Sequence, residues 1–111
     1  MDARAQPLGE FEQMILLAVM QCGADAYGVT VYDELAKRTT RKVARGAVYM
    51  TLDRLEKKGL LSSTLSGPTK ERGGRAKRCY RVTKPAVAAL RASRRALLSL
   101  WDGLELTVRG T

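Results

Sequence analysis

Apolar positions near the start of the chain recur in alternating steps of three and four, with Leu8, Phe11, Ile15, Ala18 and Cys22 on one stripe and Met14, Leu16, Leu17 and Val19 widening it. That spacing predicts an α-helix, and the wide arc predicts one buried on more than one side. Gly23 closes it, as a glycine just past a helix end does. A second helix opens at Tyr27-Gly28, with Val31 or Tyr32, Leu35 and Ala36 facing inward, and Thr30, Asp33, Glu34, Lys37 and Arg38 facing out. A third is predicted over 45–58: Val48, Leu52 and Leu55 share a stripe with Tyr49 beside it, while Ala47, Met50, Thr51, Arg54 and Lys58 lie opposite. Lys57, Lys58 and Gly59 stop this helix, with cations at its negative end and a glycine where a left-handed residue is wanted.

After Gly59 the period changes. Residues 60–65 and 77–83 are short runs with β-branched and aromatic members, and they flank Ser66-Gly67-Pro68 and Gly73-Gly74, which are turn signals. They predict a β-hairpin with a long basic tip. From Pro85, suited to a first helical turn, a last helix is expected to run to residue 106. Val87, Leu90, Leu97, Trp101 and Leu104 form its stripe, Leu98 and Leu100 lie alongside, and Arg94 interrupts it. The order predicts a mainly α fold with a small β-hairpin: a winged helix-turn-helix over 8–83, followed by a C-terminal dimerisation helix over 84–106. The last helix carries more apolar surface than so small a domain would leave in water, and a symmetric partner is the commonest cover. Leu90, Leu97, Leu98, Trp101 and Leu104 are the expected dimer interface, and Arg94 argues for a short or splayed contact over a long regular coiled coil.

Charge sharpens this picture. Twenty basic residues face 11 acidic ones, with no histidine, giving a net charge of +9. Residues 1–36 hold one basic and six acidic residues, residues 37–81 hold 14 and three, and residues 82–111 hold five and two. The positive charge is therefore concentrated on the third helix and the hairpin, the footprint expected for a polyanion partner. Cys22 and Cys79 without histidine exclude a Cys/His zinc site, and both read as reduced thiols. No base, nucleophile or phosphate loop suggests catalysis, and no cofactor is expected. The longest apolar run, over 14–20, is far below the roughly 20 residues that span a bilayer. The first seven residues carry two opposite charges, unlike a secretory signal, so a cytoplasmic protein is expected.

B-DNA's major groove admits one α-helix, and the third helix is its candidate. Arg45 and Arg54 are placed to reach phosphate or guanine, and Ala47, Met50 and Thr51 offer short apolar or hydroxyl contacts, with Lys58 at the helix end. The competing reading of Met50 is a gap-filling core residue. Lys70, Arg72, Arg75 and Lys77 are the expected wing contacts, since a glycine-rich basic tip can follow a phosphate-lined groove. Arg78 and Arg81 read as a coat on the strand's outer face, opposite Tyr80 and Val82. A non-specific nucleic-acid binder, of RNA or of the nucleoid, is the competing class, but such platforms usually expose aromatics for base stacking. Here the six aromatics fall largely on apolar stripes.

Gly46-Ala47-Val48-Tyr49, Leu52, Arg54-Leu55-Glu56 and Gly59-Leu60-Leu61, then Gly74-Arg75 and Tyr80-Arg81-Val82-Thr83, together resemble the PadR family of bacterial transcriptional regulators. Leu8-Gly9, Ile15-Leu16-Leu17 and Tyr27-Gly28 extend the resemblance to about residues 8–104. Val29 stands where the family commonly has an aromatic. The resemblance implies a homodimeric repressor of double-stranded DNA operators, of the small subgroup with a single C-terminal helix. Some members release DNA on binding small aromatic molecules. Two readings of Trp101 follow. In one it lines an aromatic effector pocket with Leu97 and Phe11 or Ile15; in the other it is a dimer-core anchor without a ligand.

Overall fold

Ile15, Leu16, Val31, Val48, Leu52 and Leu55 are wholly buried, and these six positions show how the first three helices meet. The structure, a computed structural model, describes residues 8–66 and 77–104. Its elements are α1 (Glu10–Cys22), a 3-10 turn (Gly23–Asp25), α2 (Gly28–Arg38), α3 (Arg45–Lys57), β1 (Leu61–Leu65), β2 (Arg78–Val82) and α4 (Lys84–Trp101). α1 packs on α2 and α3, with Ala26 and Leu61 completing the centre of the core. Phe11, Met14, Tyr32, Val43, Tyr80 and Val82 close its edges, half-buried. Ala36, expected to face inward, is exposed, because Val31 and Leu35, with half-buried Tyr32 beside them, span the face of α2 that meets the core.

The chain reverses from α3 into β1 at Gly59, whose φ of 81° is the left-handed conformation that a side chain would strain. The Leu60 N–H then donates to the Leu55 carbonyl at 2.9 Å. β1 and β2 pair antiparallel, with Leu61 opposite Val82, Ser63 opposite Tyr80 and Leu65 opposite Arg78. The hairpin is pinned to the helical layer by the Tyr80 N–H, which donates to the Ala26 carbonyl at 2.8 Å, and by a bridge between Tyr27 and Cys79. The wing tip and its predicted contacts Lys70, Arg72 and Arg75 lie outside the described residues.

Thr83 directs the chain into α4: its hydroxyl donates to the Gly59 carbonyl at 2.8 Å and its N–H to the Leu60 carbonyl at 3.2 Å. Pro85 sits in the first turn, where its missing N–H costs nothing. Ala86 and Leu90 are buried on the domain, so Leu90, expected at a dimer interface, belongs instead to the protomer's own core. Beyond it the apolar side chains Leu97, Leu98, Leu100 and Trp101 are at least half exposed. The helix ends at Trp101, short of the expected residue 106, because Asp102 leaves helical dihedrals and Gly103 turns at φ 80°. Leu104 therefore lies past the helix, exposed.

Candidate nucleic-acid interface

α3 is built so that one side is consumed by the core. Val48, Thr51, Leu52 and Leu55 are buried, in steps of three, one and three. Thr51 was expected on the outer side; it lies instead between Val48 and Leu55, three and four residues away, on the inner face, 3% exposed. It cannot contact DNA from there. Met50 projects outward at 68% exposure, which settles its two readings against the core. Ala47, Gly46 and Arg45 are exposed on the same N-terminal half of the helix.

Arg45 is held in place rather than waving freely. Its guanidinium carbon lies 4.7 Å from the centre of the Tyr32 ring on α2, a cation–π contact that leaves the N–H edges free to donate. Beside it, Tyr49 is half exposed and its ring crosses Gly28 at the start of α2 so closely that a β-carbon there would sit 2.0 Å from Cε1. Tyr49, which the helical pattern puts beside the core stripe, lies at the open edge of α3. The signal available was Gly28, a glycine at a helix start where nothing local calls for one.

Across the wing, Lys77 is exposed with its ammonium 4.5 Å from the Tyr27 ring centre. Arg78 donates to the Ser63 hydroxyl at 2.8 Å, and Ser63 donates to the Glu56 carboxylate at 2.6 Å, so Arg78 is tied across the hairpin. Arg81 is exposed on the outer face, as expected. In the turn before α3, Lys42 is exposed, and Arg41 pairs with Glu10 at 2.9 Å.

The other two predicted contacts on α3 point elsewhere. Lys58 donates to Glu12 Oε2 at 2.8 Å, and Arg54 Nε lies 3.5 Å from the same oxygen. Glu12 belongs to α1 and its other oxygen accepts the Gly9 N–H at 3.2 Å. Burial works to raise the Glu12 carboxyl, but the Lys58 ammonium, the Gly9 N–H and Arg54 outweigh it and hold the group below its ordinary range. No spacing in the sequence announces a contact between positions 46 residues apart.

A second feature lies between α1 and α4: a groove of about 500 Å³ whose walls include Leu17, Met20, Leu97, Leu98 and Trp101, with Arg91 and Arg94 on its rim. It contains two of the expected effector contacts, Trp101 and Leu97. Ile15, a third, is wholly buried in the core, and Phe11 packs against that core away from the groove. The helical pitch explains the exchange: Gln13, Leu17 and Met20, in steps of four and three, form the stripe of α1 that faces α4, roughly two-fifths of a turn from the core stripe.

The family described as transcriptional regulator PadR-like matches residues 16–92. The chain is similar to the transcriptional regulator Rv3488 of Mycobacterium tuberculosis, with 38% identity over 94 residues, covering 82% of this chain and 83% of that one. Among solved structures, a PadR family transcriptional regulator from Eggerthella lenta is similar at a TM-score of 0.65 and 26% identity, covering 85% of this chain and 81% of that one. BpsR of Bordetella bronchiseptica, whose DNA binding is regulated by 6-hydroxynicotinic acid, shares the fold at a TM-score of 0.58 and 20% identity, covering 88% of this chain and 68% of that one.

Proposed function

The chain belongs to the PadR-like family of transcriptional regulators, and from that premise we propose that it is a cytoplasmic repressor that binds double-stranded DNA as a homodimer and reads its operator with α3. The observation that carries this reading is the half of α3 that the core leaves open. Arg45, Ala47 and Met50 face solvent on a helix whose opposite side is fully packed. An anchored guanidinium suits a bidentate contact to guanine, while the alanine and methionine suit thymine methyls. Lys77 supplies contacts to phosphate, as do Lys70, Arg72 and Arg75 in the sequence between β1 and β2, and such contacts set register and not sequence. Among the described residues no helix is long and apolar enough to cross a membrane.

Leu97, Leu98, Leu100 and Trp101, with Leu104 just beyond, form a half-exposed apolar face on a helix whose buried residues, Ala86 and Leu90, lie in its first half. A second copy of the same helix covers it, and two-fold symmetry then calls for a pseudo-palindromic operator with half-sites about one helical turn apart. The groove between α1 and α4 is the effector site in this reading. It is largely apolar, carries one tryptophan for stacking and shares Leu97, Leu98 and Trp101 with the dimer face, so a flat aromatic ligand bound there, between the subunits, would alter the angle between the two DNA-binding domains.

Selection of bound duplexes from a random pool tests the central claim. A recurrent pseudo-palindrome, with binding that exceeds that to scrambled duplex and to single-stranded RNA at one salt concentration, is the expected result. Equal binding to all three moves the protein to the non-specific class. Titration of Trp101 fluorescence with planar aromatic compounds tests the groove, and silence across the panel leaves Trp101 as a dimer anchor alone.

A further inference from the structure

Glu12 is the one α1 carboxylate, among the described residues, that is largely covered while touching the recognition helix. Its side chain is 12% exposed where it meets Lys58, whereas that of Glu10, which pairs with Arg41 from the turn before α3, is 77% exposed. The difference decides which pair can be broken cheaply. An exposed pair such as Glu10–Arg41 exchanges its partner for water at little cost. Glu12 has little water to receive it, so removing its cations strands a covered charge.

The carboxylate also cannot follow those cations outward. Its Oε1 accepts the Gly9 N–H and so closes the first turn of α1. Its Oε2 takes Lys58 at 2.8 Å and Arg54 at 3.5 Å, and Arg54 is held a second time by donating to the hydroxyl of buried Thr51 at 3.3 Å. Two of the three cations at the C-terminal end of α3 are thereby drawn toward α1, while the third, Lys57, pairs with Asp53 on α3 itself at 3.1 Å.

Resting on the reading of α3 as the DNA-reading helix, we propose that Glu12 is a specificity-determining positioning residue: it withholds Arg54 and Lys58 from the DNA backbone, so that α3 engages duplex through its N-terminal half. Phosphate attraction is blind to sequence, since each contact releases counterions whatever the bases are. Two unrestrained cations at the end of the recognition helix would raise binding to every duplex. Pairing them with a protein anion trades that general affinity for a larger share of base contacts from Arg45, Ala47 and Met50.

The test compares the wild-type chain, Glu12→Gln, Lys58→Gln and the double variant, each on a duplex selected from the random pool and on scrambled duplex of equal length, across a range of salt. Glutamine keeps an oxygen for the Gly9 N–H and removes only the charge. For Glu12→Gln the slope of log K against log salt steepens by about one unit per protomer for each cation released to a phosphate. Scrambled duplex then binds about fivefold tighter per added contact near 150 mM salt, and the ratio of selected to scrambled affinity falls. Lys58→Gln alone leaves the slope unchanged, yet in the Glu12→Gln background it reverts part of the steepening, a reversal that mere loosening of α1 would not produce. An unchanged or shallower slope for Glu12→Gln, or a slope reduced by about one unit for Lys58→Gln alone, overturns the proposal while leaving the operator reading intact. Absence of any preference in the wild-type chain removes both together.

Discussion

Replacing Gly28 by alanine probes the packing that sets the open edge of α3. A methyl group at this position would lie 2.0 Å from Cε1 and 2.8 Å from Cδ1 of Tyr49, well inside contact distance, so the phenol must move. Two effects oppose each other. Alanine in a helix is favoured over glycine by about 0.5–1 kcal/mol, and this gain is smaller at the first residue of α2, where Gly28 stands. Overpacking a well-fitted site costs about 1–3 kcal/mol. Tyr49 is 44% exposed, so its ring has an outward path and the cost falls in the lower part of that range. The net expectation is a loss of about 1 kcal/mol, which in a domain of this size lowers the melting temperature by about 4–8 °C. Urea titration of Gly28→Ala, Tyr49→Ala and the double variant measures it. In the Tyr49→Ala background the clash is gone, so alanine at 28 should be neutral or mildly stabilising, giving a coupling energy of about 1–2 kcal/mol. Equal effects of Gly28→Ala in both backgrounds would show that the ring does not press on this backbone, and the reasoning would fail.

Arg45→Ala should weaken binding to the selected operator by about 1–3 kcal/mol and relax preference at one base position, as read by fluorescence anisotropy over a panel of single-base variants. A uniform loss across the panel would mark Arg45 as a phosphate contact. For pH, burial pushes the Glu12 carboxyl up but Lys58, the Gly9 N–H and Arg54 hold it below its ordinary value. A depressed folded-state pKa means that the stabilisation is present above the unfolded value of about 4.3 and is lost as pH falls through the lower folded value. Glu12→Gln should therefore be less stable than wild type by about 1 kcal/mol at pH 7, with the gap narrowing as pH falls below the ordinary carboxylate range; a gap independent of pH would contradict the assignment. Leu98→Glu places a charge on the exposed apolar face of α4 and should shift sedimentation from dimer to monomer with the domain's helical signal retained. An unaltered sedimentation coefficient would put the interface elsewhere.

Much of the architecture is legible in the chain. Steps of three and four at Ile15, Ala18 and Cys22, and at Val48, Leu52 and Leu55, give the helices and their inner faces, because a side chain's direction about its own helix axis depends only on local pitch. The period change after Gly59 gives the hairpin in the same way. The site is legible in part. Arg45, Ala47 and Met50 are exposed as a recognition surface requires, whereas Thr51 fell to the wrong side because the inner face of α3 is wider than a stripe of three apolar residues implies. The exchange of Ile15 and Phe11 for Leu17 and Met20 in the groove has a related cause: α1 is apolar on two faces, and its sequence does not state which face meets α4.

Element order, the concentration of positive charge over residues 37–81 and membership of the family can all be read along the chain, since each depends on residue type and spacing. Which charges are already paired depends instead on the packing of one element on another. Glu12 meets Arg54 and Lys58, Arg45 rests on Tyr32, and Leu90 turns inward while Leu97 and Leu98 stay open, because pairing across elements depends on how helices cross and not on the period within any one of them. Net charge counts cations, but the fold determines how many of them remain for DNA.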